Sequence, residues 1–233
     1  MWEFIESTRG ISDVCKAVTL KEHPNNPTPI IAGNVSFYNE SKSGAIPPSP
    51  IVSCLGKIKN IDNAITMSFK KENSIILMVG ERKNELGGSI YYDLFNELGA
   101  NVPEPDLKIV KGEIFSLTTC IDKRLILSCH DISDGGLSAA LTEMTFKNSI
   151  GCSVNYKTNI KPEAFLFSET GGFILEADSL YLEEIKTEFA KNNIEVAVIG
   201  KTNKSKVIEI NKEISINLIN VKSSWETGLR EKL

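Results

Sequence analysis

The stretch Leu125-Ile126-Leu127-Ser128-Cys129-His130-Asp131-Ile132-Ser133-Asp134-Gly135-Gly136-Leu137 decides the fold class. An apolar run of strand length, Leu125 to Cys129, leads into an acidic turn with two glycines. Beyond it Leu137, Ala140, Leu141 and Met144 recur at helical spacing. Strand, glycine turn and helix in that order make the building unit of an α/β domain. The turn also carries chemistry. Backbone N–H groups at a helix start can cradle an anion or a metal-bound phosphate. Asp131 and Asp134 can hold a cation between them, and Gly135 and Gly136 let the backbone approach a ligand. The plain alternative is that Ser133 or Asp134 caps the helix while the glycines permit tight packing. The residues alone leave both roles open.

Working outward, the chain after about residue 66 alternates strand and helix signals. Ser74 to Gly80 predicts a buried strand, and Leu86-Gly87-Gly88-Ser89 precedes a helix over Tyr91 to Leu98, with Ser89 as its cap. Gly172 to Ala177 predicts a strand, Leu180 to Asn192 a helix, and Glu195 to Gly200 a further strand. Two β-rich pieces follow, Val207 to Ile210 and Ile214 to Ile219. Before residue 66, Ile11, Val14, Cys15 and Val18 predict a helix over residues 2 to 19. A Pro/Asn loop from His23 to Pro29 ends it, and short strands are expected at Ile30-Ile31-Ala32 and Ile51 to Gly56. Residues 57 to 63 read as a polar connector.

Composition narrows the function. The chain has 233 residues, 41% hydrophobic and 24% charged, with a net charge of −4. That is ordinary for a globular protein and gives no basic stripe for nucleic acid. Lys201 to Lys206 is expected to be a solvated loop. No apolar run reaches the ~18 residues that span a membrane, and Met1 to Glu6 lacks the basic start of a signal peptide. The 5 cysteines include no C-x-x-C pair, which argues for buried free thiols in a reducing cytoplasm. Cys129 and His130 are adjacent on a strand and point to opposite faces, which disfavours a nucleophile pair.

A second constellation is Gly33-Asn34-Val35-Ser36-Phe37-Tyr38-Asn39-Glu40. Gly33 permits close backbone approach, Asn34 offers a hard amide oxygen suited to Mg²⁺, and Ser36 offers a hydroxyl to a phosphate or ribose. The same residues can equally cap a turn. This segment resembles the GNVSxYNE signature of the phosphoribosylformylglycinamidine synthase family. His130 to Leu137 resembles that family's HDxSDGGL signature in its C-terminal repeat, and the two occur in the family's order. Phe167-Ser168-Glu169-Thr170-Gly171-Gly172 sits where the family has Leu-Phe-(Gly/Ser)-Glu. Leu86 to Ser89 is similar to its Leu-Gly-Gly-Ser, and Met1 to Phe4 with Gly10-Ile11 to the helix ahead of its GNVS loop.

The resemblance implies an AIR-synthetase-like α/β (α+β) fold. Residues 1–65 would be the end of a ferredoxin-like N-type domain, and residues 66–233 a complete C-type α/β domain. It implies the ATP-dependent conversion of formylglycinamide ribonucleotide and glutamine-derived ammonia to formylglycinamidine ribonucleotide, ADP and phosphate, in the cytoplasm. Carried onto this chain, Gly33 contacts ATP, Asn34 binds Mg²⁺ and Ser36 contacts substrate. Asp131, Asp134, Gly135 and Gly136 line a second nucleotide pocket, catalytic or structural. The family's proton-accepting histidines, its Mg²⁺-binding acids and an ATP-contacting Asp belong to the N-terminal half, which this chain lacks. His23 lies outside the family's His-Pro motif and is expected in solvent. No glutaminase Cys–His–Glu set is evident. The implied partners are therefore the N-terminal half, a glutaminase subunit and a small accessory subunit, with a homodimer as another way to cover exposed strands in residues 30 to 56. No catalytic residue is expected in this stretch, and the chain alone is expected not to turn over. Two alternatives stand: a non-catalytic nucleotide-binding module, and another member of the superfamily such as aminoimidazole ribonucleotide synthetase.

Overall fold

The computed structural model describes residues 2–34, 40–46 and 49–228. The chain divides into two compact units, Met1–Lys59 and Asn60–Leu233.

The first unit opens with the helix α1, Trp2–Ala17, which contains no buried residue. Its apolar stripe is only partly covered: Ile11 and Cys15 are half-buried, while Trp2 is 72% exposed. The chain then pairs β1 (Thr19–Leu20) with β2 (His23–Pro27) in an antiparallel ribbon. The Pro/Asn loop expected there is thus partly a strand. A two-stranded ribbon has only edges, so prolines can sit in it without breaking a central ladder. His23 is exposed, as expected. A second small ribbon joins β3 (Glu40–Ser41) to β4 (Gly44–Ala45). The strands expected at Ile30 to Ala32 and Ile51 to Gly56 do not form. Those residues run as irregular chain without a ladder partner, and Ile31 and Ile51 are 80% and 96% exposed. Among the described residues, every buried hydrophobic side chain lies at Phe69 or beyond.

The second unit is built on a seven-stranded sheet. Its strands are β5 (Ile75–Val79), β6 (Ser128–Asp131), β7 (Gly151–Val154), β8 (Phe173–Ala177), β9 (Val196–Asn203), β10 (Val207–Ile210) and β11 (Ile214–Asn217). Their order across the sheet is β11-β10-β7-β9-β5-β8-β6. Only β7 and β10 pair in parallel; the other neighbours are antiparallel. The helices are α2 (Ile90–Asp93), α3 (Leu107–Asp122), α4 (Gly136–Thr145), α5 (Pro162–Phe167), α6 (Leu182–Ala190) and α7 (Leu218–Thr227).

The side-chain alternation of a strand divides the core in two. Ile76 and Met78 of β5 and Ile174 of β8 pack with Leu137, Leu141 and Met144 of α4 and with Phe165 of α5. Ile75, Leu77 and Val79, with Leu175 and Ala177, pack with Leu117 and Cys120 of α3 and with Ile185 and Phe189 of α6. Helices therefore cover both faces, which is why β5 reads as an unbroken apolar run.

Several boundaries differ from the sequence reading. The strand expected at Leu125 to Cys129 is shifted to Ser128–Asp131; Leu125 and Ile126 are buried in the turn after α3, where Arg124 has φ 59°. The helix expected over Tyr91 to Leu98 stops at Asp93, before left-handed Asn96 at φ 56° and Gly99 at φ 70°. The lysine-rich loop expected from Lys201 begins only after Asn203, because β9 continues and Thr202 is buried. Ile214 to Ile219 is half strand and half helix, since the Asn217 side chain accepts from Ile219 N–H at 2.9 Å and starts α7. No element was expected for α3, although the Asp106 carboxylate caps it at Lys108 N–H and Ile109 N–H. Among the described residues no helix is long and apolar enough to cross a membrane.

Burial pushes the Cys120 thiol up to about 11 and those of Cys129 and Cys152 up to about 12. Thiolate is the reactive form, so iodoacetamide at pH 8 should label exposed Cys54 and leave these three unlabelled until denaturant is added. Mass spectrometry of the digested protein reads this directly. Leu141→Ala, at a fully buried position, should cost about 2–5 kcal/mol in urea unfolding.

Candidate functional site

Register sets the site. Val79, the last residue of β5, pairs with Phe173, the first of β8, and Phe173 pairs in turn with Asp131, the last of β6. The segments 80–89, 131–136 and 168–172 therefore emerge together at one end of the sheet. Glycines make this crowding possible. Gly172 has φ 103°, and a Cβ there would lie 2.3 Å from Val79 O. Gly136 has φ 67°, and its Cβ would lie 2.8 Å from Leu166 O.

Beneath these loops lies Arg82, 5% exposed. Its Nη1 donates to Ser168 O at 3.2 Å and its Nη2 donates to Gly171 O, so one guanidinium grips both ends of a loop. Burial pushes its pKa down to about 10, against the attraction of Glu113 and Glu85, and it stays charged at neutral pH. Glu113, on α3, is buried in turn; burial raises its carboxyl, and Arg82 pulls the other way. Arg82 Nε and Glu85 Oε2 are buried without a hydrogen-bond partner.

The loop that Arg82 grips carries Glu169. One oxygen, Oε1, accepts from Gly135 N–H at 2.9 Å and from Ile90 N–H at 3.0 Å. It thereby joins the start of α4 to the start of α2. Ser89 caps α2 as expected, accepting from Tyr92 N–H at 3.3 Å and donating to Leu86 O at 2.6 Å. Tyr91 stacks on Phe167, centroids 4.6 Å apart. A cleft of about 310 Å³ opens beside this helix, lined by Asn84, Gly87, Tyr91, Tyr92, Asn101 and Lys161 among others.

The acidic turn itself is partly as expected. Asp131 and Asp134 are exposed, Gly135 is half-buried and Gly136 is buried. Neither Ser133 nor Asp134 caps α4. Gly135, left-handed at φ 74°, takes the N-cap position without a side-chain cap bond, and Gly136 N–H bonds back to Ser133 O at 2.9 Å. His130 packs with Nε2 2.8 Å from Glu143 Oε2 and Nδ1 2.8 Å from Asp131 O. Burial would raise the Asp131 carboxyl, but hydrogen bonds from the Ser133 hydroxyl and its own backbone, with the His130 ring, hold it below its ordinary value. Among the described residues no group of three His, Cys, Asp or Glu side chains could hold a metal. Asp131 and Asp134 are both exposed at this turn, and a phosphate bound there would need a cation brought with it to offset their charge.

The structure brings Asp131, Asp134, Gly135 and Gly136 together, and it adds Glu169, Arg82 and Glu113. Glu169 was visible in the sequence only as an acid before two glycines. Arg82 and Glu113 gave no signal, since the electrostatic attraction between them crosses from beyond the end of a strand to the middle of a helix. Gly33 and Asn34 belong to the first unit, exposed and in irregular chain. Ser36 lies outside the described residues.

Residues 71–212 match the family model described as AIR synthase related protein, C-terminal domain. The chain is 35% identical over 238 residues to the phosphoribosylformylglycinamidine synthase subunit PurL of Methanothrix thermoacetophila, a match that covers 100% of this chain and 31% of that protein. It thus spans under a third of the length of that curated relative. Among solved structures, Thermotoga maritima PurL complexed with FGAR is similar with a TM-score of 0.61 at 14% identity, over 69% of this chain and 30% of that one. PurLQS from the same organism is similar with a TM-score of 0.57 at 15% identity, over 68% of this chain and 27% of that one. At such identities the structural likeness is one of fold.

Arg82→Met should expose two unpartnered carbonyls and leave Glu113 without its counter-charge, at a cost of about 3–5 kcal/mol in urea unfolding. Arg82→Lys should recover only part of that, because a single ammonium cannot span both carbonyls with a rigid fork.

Proposed function

The chain belongs to the AIR synthase related protein family, and from that premise we propose that it is the C-terminal part of a phosphoribosylformylglycinamidine synthase. The observation that carries the reading is the 35% identity to a protein of that name along the whole chain. The reaction joins formylglycinamide ribonucleotide, ATP and ammonia derived from glutamine, and releases ADP and phosphate. The chemistry is that of a phosphorylated amide oxygen displaced by ammonia, so it needs stabilised phosphoryl charge and positioned substrates.

In this reading residues 1–65 close an N-type domain and residues 66–233 form the C-type domain. Among the described residues no hydrophobic side chain before Phe69 is fully buried, which supports the first assignment, because a segment that leaves so much of its apolar surface open requires a partner surface. Gly33 would contact ATP and Ser36 the substrate. Asn34 is exposed, and its amide oxygen is a hard donor fit for Mg²⁺. One donor is a fraction of an octahedral shell, so the remaining ligands would come from the longer protein. When bound, Mg²⁺ would neutralise charge on the transferring phosphoryl group. The ammonia source would be a separate glutaminase subunit, with a small accessory subunit completing a cytoplasmic complex. Asp131, Asp134, Gly135 and Gly136 would form a second nucleotide pocket.

A second reading is a nucleotide-binding module without turnover. ADP release with formylglycinamide ribonucleotide, ammonium and Mg-ATP separates the two. Turnover that appears only when the N-terminal half is supplied supports the synthase reading; Mg-ATP binding without turnover in either case supports the module. In the assembled enzyme Asn34→Ala should lower activity by roughly tenfold or more and raise the Mg²⁺ requirement without lowering the melting temperature.

A further inference from the structure

We propose that Glu169 is a positioning residue, which fixes the start of α4 against the start of α2 and so sets how tightly the glycine-loop cluster holds a magnesium-bound nucleotide. The nucleotide part rests on the second-pocket reading above; the positioning part rests on geometry alone. A single oxygen, Oε1, takes N–H groups from Gly135 and Ile90, which belong to different loops. Both donors are orphans of their helices. Gly135 holds the N-cap place of α4 with no capping side chain, and Ile90 begins a helix of only 4 residues. So short a helix does not hold itself. It stays in place through the Ser89 cap, the Tyr91–Phe167 stack and Glu169.

The arm that carries Glu169 is rigid because its base is buried. Arg82 holds Ser168 O and Gly171 O on either side, and the Thr170 hydroxyl donates to Ser168 Oγ at 3.1 Å. Gly171 and Gly172, at φ 94° and 103°, turn the chain straight into β8. Constraint thus passes from the Arg82 site to the 168–172 loop, then through one carboxylate to two more loops. Glu169 acts through the loops it joins and needs no contact with the ligand.

The test compares the wild-type chain with Glu169→Ala and Glu169→Gln by amide hydrogen exchange, thermal melting and Mg-ATP titration. In Glu169→Ala the amides of Gly135 and Ile90 should exchange at least about tenfold faster, the loss expected for a charge-assisted hydrogen bond. The amides of Leu141 and Leu175, inside α4 and β8, should not change. Glu169→Gln keeps an acceptor oxygen of the same reach and should restore most of the protection. Mg-ATP binding should weaken by about tenfold in the Ala variant and recover in the Gln variant. Unchanged exchange at Gly135 and Ile90, or a Gln variant no better than Ala, overturns the proposal. Tighter Mg-ATP binding in Glu169→Ala also overturns it, since the carboxylate would then occupy the ligand's place. If the wild type binds no Mg-ATP, the nucleotide reading falls and the exchange contrast alone decides whether Glu169 ties the loops.

Discussion

Burial of β5 on both faces is the constraint on which the second unit depends. All of Ile75 to Val79 are buried, and alternate residues serve opposite cores. A shift of register by one residue would exchange the two sets and leave neither core filled. The same strand pairs with β8 on one side and β9 on the other, with an irregularity between Ile76 and Leu77 that absorbs the mismatch on the β9 side. Once β5 and β8 are locked in register, Val79, Phe173 and Asp131 must lie side by side, and three glycine-bearing loops must share one end of the sheet.

Charged side chains then hold the two ends of β8, each matched to the backbone groups it meets. At its start Arg82 donates to the carbonyls of Ser168 and Gly171. Near its end Glu176, fully buried, accepts from Lys70 N–H at 2.7 Å, Lys71 N–H at 2.9 Å and Ser128 Oγ at 2.8 Å. Bare charges in a core are costly, and each is tolerated here because its hydrogen bonds are local and directed. The carboxylates of Glu169 and Glu176 do similar work at opposite ends of β8: Glu169 gathers N–H groups from two loops, and Glu176 joins the N–H groups of Lys70 and Lys71 to the Ser128 hydroxyl.

Legibility of the fold followed the range of the signal. The buried strand at Ile75 to Val79 and the helix from Gly136 to Thr145 were readable, because a strand's apolar run and a helix's spacing are local patterns. The strands expected at Ile30 to Ala32 and Ile51 to Gly56 failed because an apolar run becomes a strand only where a partner supplies hydrogen bonds. Gly135 takes the N-cap place instead of Ser133 or Asp134, because the acceptor for its N–H comes from Glu169, distant in sequence. Asp106 at the head of α3 is a local cap signal, its carboxylate accepting from the N–H groups of Lys108 and Ile109.

By itself the sequence determined the strand-turn-helix unit around His130 to Leu137, the place of glycines at the loops and the likeness to a synthase family, because these reside in residue identity and near-neighbour spacing. Only the tertiary structure decided that the sheet is mostly antiparallel, that Arg82 and Glu113 lie beneath the loops, and that Glu169 joins two helix starts. Those outcomes depend on strand register and on charge pairs between segments far apart in the chain, and such pairs leave no periodic trace along it.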